Sequence, residues 1–134
     1  MQFRSIATTV ALASTALISL SSQAQGMPPM QAQGAVRYVC GGIGVDESSA
    51  MRAGMKTHPL SLLFARADGA YLADVGVTIT DAAGQPALKI KATGPVCLVD
   101  LPAGKYTVEA DSGGTVKKHA VTVGATPVTA DFRF

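Results

Sequence analysis

The chain has no tryptophan, and aromatic residues fill 5% of its 134 positions. A surface that stacks nucleobases needs exposed rings, and this composition does not supply one. Charge is also sparse: 11 Lys and Arg stand against 9 Asp and Glu, for a formal net charge of +2. The two signs are scattered, with no basic run that could track a phosphate backbone or an anionic membrane. Only two cysteines are present, Cys40 and Cys97, with no C-x-x-C pair and no third thiol. That removes the usual motif of a redox dithiol and the ligand count of a thiolate metal site. An even pair in an oxidising compartment is most simply a disulfide. The loop it would close is long enough to stabilise the fold by roughly 4 kcal/mol in the chain-entropy account. Neither H-x-x-E nor H-E-x-x-H occurs, so zinc hydrolysis has no ligand set. No G-x-S-x-G elbow occurs either, and Ser112 sits in an ordinary turn. No cofactor is expected.

The N-terminus is the longest uncharged apolar stretch. "MQFR" carries Arg4, "SIATTVALASTALISL" follows without charge, and "SSQAQG" supplies small and polar residues. This order predicts a secretory signal peptide over residues 1–24, cut after Ala24 at the small-x-small run Ser22-Gln23-Ala24. The apolar run is shorter than the ~20 residues of a spanning helix, and no later segment is apolar enough to span. "RYVC" is not a lipobox. The expected product is periplasmic or secreted, and the mean hydropathy of +0.29 is raised by the part removed. About 110 residues remain, enough for one domain with one core.

Residues 25–34, "QGMPPMQAQG", have no periodicity and read as a flexible leader. "AVRYVC" is a first strand. "DESSAMRAGMKTHP" predicts one short helix near Asp46–Thr57, with Asp46 as N-cap, Lys56 in the last turn and Pro59 as the stop. Gly54 weakens it by ~1 kcal/mol relative to alanine, so it depends on docking. From Leu60 the period becomes two. "LSLLFARA" and "AYLADVGVTIT" flank Asp68-Gly69, which predicts a hairpin whose turn residues both take positive φ. "ALKIKA", the nearly all-apolar "VCLVDL", "KYTVEA", "TVKKHAVTV" and "VTADFRF" follow, separated by Gly, Pro and Asp turns. Short alternating strands at this spacing predict an all-β antiparallel Greek-key sandwich over residues 35–134.

From Val75 onward, the pieces "VGVTITDAAG", "ALKIKA", "VCLVDLPAGKYTVEA", "VKKHAVTV" and "VTADFRF" resemble the carboxypeptidase regulatory-like domains. The resemblance implies a transthyretin-like β-sandwich without catalytic residues of its own, acting as a stabilising or interaction module. Its most specific part is Leu101-Pro102-Ala103-Gly104-Lys105-Tyr106. Pro102 and Gly104 suit a strand-end turn. Leu101 and Tyr106 suit the core, with the tyrosine hydroxyl in reach of backbone at a corner. Residues 35–73 fit the pattern less well, and the helix and Cys40 read as additions to it.

Two other functions have some footing in the residues. Met51, Met55 and His58 fall at i, i+4 and i+7, so a helix would align two thioethers and an imidazole, a set suited to Cu(I). The same spacing describes the core face of an amphipathic helix. Met27 and Met30 lie in the leader, and His119 lies in a late strand. Carbohydrate binding would rely on Tyr38 and Tyr71. A hydroxyisourate hydrolase is not expected, because the chain carries "TADFRF" in place of the Y-R-G-S motif of those enzymes and neither histidine stands in a matching motif. The expected role is therefore an exported, non-enzymatic structural or protein-interaction module. Its partner would be another exported or envelope protein, and neither nucleic acid nor a membrane span is involved.

Overall fold

The computed structural model describes residues 26–134; the signal peptide and cut site expected from the sequence lie outside the described residues. The chain forms an all-β sandwich of two sheets with one short helix. The strands are β1 (Gln31–Gln33), β2 (Val36–Gly41), β3 (Leu60–Ala65), β4 (Val75–Asp81), β5 (Pro86–Ala92), β6 (Val96–Asp100), β7 (Gly104–Ser112), β8 (Thr115–Val123) and β9 (Val128–Arg133). The helix α1 (Val45–Gly54) lies between β2 and β3. One sheet runs β1-β2-β6-β3-β9 and the other β5-β4-β7-β8.

Alternation explains the core. Val75, Val77 and Ile79 of β4, Leu88 of β5, and Tyr106, Val108 and Ala110 of β7 point inward. They meet Leu60, Leu62 and Phe64 of β3, Cys97 and Val99 of β6, and Ala130 and Phe132 of β9. Removing such side chains from water contributes about 1.5–3 kcal/mol each for the larger ones. β6 departs from alternation: Val96 through Val99 are all buried. Its second face is covered too, because Val96 and Leu98 pack with Val39 and Met51 in a smaller cluster beneath α1.

Four features differ from the sequence expectation. First, the leader ends in structure: Gln31–Gln33 pair antiparallel with Val36–Tyr38. The strand is three fully exposed residues, too short and polar to leave a periodic signal. Second, Asp68-Gly69 does not join two paired strands. β3 lies between β6 and β9, and after one isolated bridge, Ala65 with Tyr71, the chain crosses to the other sheet. Only Gly69 takes positive φ, at 95°, and Asp68 instead accepts a hydrogen bond from the Ala70 amide at 3.0 Å. Third, the sandwich is not wholly antiparallel, since β9 runs parallel to β3 with Phe64 opposite Phe132. Fourth, α1 is capped by the backbone of Gly44 rather than by Asp46. Glu47 reaches back to accept a hydrogen bond from the Gly42 amide at 2.9 Å. The helix ends at Gly54, and Met55 to Thr57 form a turn.

Side chains close the open sides of the sandwich. The Gln33 amide binds the backbone of Lys89 twice, donating to its carbonyl at 2.9 Å and accepting from its N–H at 2.8 Å. It thereby occupies an edge position of β5 that another chain could use. On the far side, the His119 ring of β8 lies 4.4 Å from the Phe132 ring of β9, which in turn stacks on Phe64 at 5.7 Å.

Candidate functional site

Cys40 and Cys97 are directly opposed on β2 and β6 and joined as a disulfide, with Cα atoms 4.1 Å apart. Cys97 is fully buried in the main core and Cys40 packs against it. The bond therefore links two neighbouring strands of one sheet, facing inward, at a sequence separation of 57.

The Leu101–Tyr106 stretch turns the chain from one sheet into the other. Leu101 is 6% exposed and Tyr106 9%. The Tyr106 hydroxyl donates to the Pro102 carbonyl at 2.8 Å, so the ring fills the core while its polar end ties down the corner. Gly104 faces that ring, with its Cβ position 3.6 Å from Tyr106 Cε2. A depression of about 350 Å³ opens beside the turn, and Asp81 is the only carboxylate in its lining. Asp81 already accepts hydrogen bonds from the Ala83 and Gln85 amides. Tyr106 thus has no free acid or base partner there.

The third constellation is divided by the structure. Met51 is fully buried, packed with Val39, Val96 and Leu98. It is core, and the set Met51, Met55, His58 does not converge on one accessible point. Met55 is half-buried against the same cluster. His58 leaves the helix end and turns to Asp100 of β6, where its Nδ1 donates to Oδ1 at 2.7 Å. The pair is partly exposed, 17% for the histidine side chain and 38% for the aspartate. Met27, outside the helix, reaches this place as well: its Sδ lies 3.4 Å from the Cβ position of Gly54, and His58 Cδ2 lies 3.7 Å from it. The sequence signal for Met27 was a methionine in an aperiodic leader, which spacing cannot assign to a neighbour. Among the described residues, no group of three or more His, Cys, Asp or Glu side chains could hold a metal ion. No described helix is long and apolar enough to cross a membrane.

The tyrosines considered for sugar binding also separate. Tyr38 packs against the core and donates its hydroxyl to Gln31 Oε1 at 3.0 Å. Tyr71 is 53% exposed, but the Arg52 guanidinium lies over its ring, 5.1 Å from the centroid. That contact fixes Tyr71 against α1.

Large apolar side chains left exposed are Met27, Ile43, Val45, Tyr71 and Val116. Val116 stands on β8, whereas the other four surround α1. Ile43 and Val45, at 65% and 82% exposure, flank the helix start. Tyr71 lies against Arg52 in its last turn, and Met27 lies at its end. A depression of about 330 Å³ adjoins the helix start, lined by Gly26, Ile43, Gly44, Val45, Asp46 and Glu47. The sequence does not single out Ile43 or Val45, because "GGIG" reads only as a break between the first strand and the helix. No protein-family model matches this chain, and no curated protein matches it.

Proposed function

We propose that this protein is an exported, non-enzymatic interaction module of the carboxypeptidase regulatory-like type, docking on another envelope protein through the face built around α1. One observation carries the reading. Among the described residues, four of the five large apolar side chains left exposed, Met27, Ile43, Val45 and Tyr71, lie around one helix, and only Val116 stands on a strand of the sandwich. Scattered exposed apolar residues are ordinary, but a group beside a depression marks an interaction surface. The rest of the sandwich offers little to a partner. The Gln33 amide blocks part of the β5 edge, and Lys117 and Lys118 charge the β8 edge, a common protection against strand addition. The disulfide supports export, because such bonds persist in oxidising compartments. The Tyr106–Pro102 corner supports the family resemblance, since it gives the L-P-x-G-x-Y residues a shared structural task.

Site-specific photocrosslinking in the native envelope tests this reading. A photoreactive residue at position 45 should yield one discrete adduct, which Ile43→Asp reduces strongly. The same residue at position 117, on β8, should yield none. Equal labelling from both positions, or no adduct from position 45, would refute the assignment of this face.

A further inference from the structure

The end of α1 carries chemistry that the docking surface does not need. Gly54 has no Cβ, and the space a Cβ would take is approached by Met27 Sδ at 3.4 Å and His58 Cδ2 at 3.7 Å. Thioether sulfur and imidazole edge thus both lie within 4 Å of one point at the helix end. The other nitrogen, Nδ1, is held by Asp100 at 2.7 Å. A carboxylate on one imidazole nitrogen, which leaves the second for a metal ion, is how proteins orient a metal-binding histidine. Met55 follows Gly54 directly and is half-buried in the same cluster. On β3, Ser61 is fully buried with no hydrogen-bond partner for its hydroxyl. Its cross-strand neighbour is Leu98, whose Cδ1 is the nearest atom to that same Gly54 position.

We propose that Met27, Met55 and His58, with Asp100 as the positioning residue for the imidazole, form a low-coordinate site for a thiophilic monovalent cation, Cu(I). Thioether and imidazole together select Cu(I) over the hard divalent ions, which need oxygen ligands. Met51 takes no part, because it is sealed beneath the helix. The ligand set therefore differs from the helical i, i+4, i+7 series. It depends on the leader segment reaching the helix end, and on glycine at position 54, which leaves room for sulfur and ring around one point. Met27 is 37% exposed, so its thioether is open to an ion arriving from solvent.

The test is anaerobic competition for Cu(I) against a chromogenic chelator. The protein is purified from an oxidising compartment, and ascorbate serves as reductant so that the Cys40–Cys97 bond stays intact. The protein should retain one equivalent of Cu(I) and no Zn(II). Met27→Leu and His58→Gln should each weaken retention by at least about tenfold, and Asp100→Asn by about tenfold through loss of imidazole orientation. Met51→Leu should leave it unchanged. X-ray absorption of the loaded protein should show both sulfur and nitrogen bound to copper. Met27→Leu keeps the bulk of a half-exposed side chain, so its outcome does not depend on a folding defect. Transfer of all Cu(I) to the chelator, parent-like retention by Met27→Leu, or a copper shell without sulfur would each overturn the proposal.

Discussion

In an ordinary helix, exchanging glycine for alanine stabilises the protein by about 1 kcal/mol, because glycine has more backbone freedom to lose. Gly54 in α1 should show the opposite sign. A Cβ there would stand 2.6 Å from Leu98 Cδ1, closer than carbon atoms approach without displacement. Leu98 is fully buried and packs in one cluster with Val39, Met51 and Val96, so a shift of its side chain would disturb them. Overpacking of this kind costs about 1–3 kcal/mol. Set against the propensity gain, the expected net loss for Gly54→Ala is about 1 kcal/mol. In a domain of this size that corresponds to a fall in Tm of about 4–8 °C. Urea titration of both proteins, with the slope checked for constancy, measures it. Adding Leu98→Val should relieve the clash, so the two substitutions together should be less harmful than their separate effects predict. A Gly54→Ala protein that is more stable than the parent would refute the claim that α1 is seated on Leu98.

Reducing the Cys40–Cys97 bond should lower the unfolding free energy by about 4 kcal/mol, measured by urea titration with and without reductant; a loss below about 1 kcal/mol would mean the bond hardly restricts the unfolded chain. Tyr106→Phe removes only the bond to the Pro102 carbonyl and should cost about 1 kcal/mol, read as a shift in Tm, with no change counting against the corner role. Gly94→Ala should be the more damaging glycine change, since its Cβ would lie 2.6 Å from the carbonyl carbon of Gly41 and 2.8 Å from its Cα, both backbone; thermal unfolding at or above the parent value would contradict that contact. Ser61→Ala should be neutral or stabilising, because it deletes a buried hydroxyl without a partner; a loss above about 1 kcal/mol would show that the hydroxyl is bonded in solution.

The sandwich was legible because alternation records which face of a strand is buried. Val75, Val77 and Ile79 follow that rule, and so do Tyr106 and Val108. Partner choice between strands leaves no such record. β3 reads equally well as one arm of a hairpin and as the interior strand between β6 and β9 that it is. Asp68-Gly69 misled because a tight turn fixes the chain's local direction but not which sheet the next strand joins. The edge-closing contacts were also illegible. Gln33 on the Lys89 backbone and His119 on Phe132 bring together positions far apart in sequence, and neither residue type is specific to that use.

One segment did hold unread information about the α1 side. "VCLV" in β6 is four consecutive buried residues, and a strand with no alternation has both faces covered. Cys97 and Val99 face the opposite sheet, so Val96 and Leu98 need a second cover. In this chain the one predicted helix is the element able to provide it. Among Met51, Met55 and His58, which helical spacing aligns on one side, Met51 lies within the helix and is best placed to reach an underlying strand, which makes it the core residue. Met55 and His58 then fall at the helix end, beyond the buried patch. The same step clears the opposite flank: with Met51 turned inward, Val45 and Arg52 are left on the surface, where Arg52 meets Tyr71. The docking face and the soft-donor cluster are thus consequences of one packing decision, the seating of α1 on Leu98. That is why substitutions at Gly54 should disturb both, while substitutions at Tyr106 or in the β7–β8 hairpin should disturb neither.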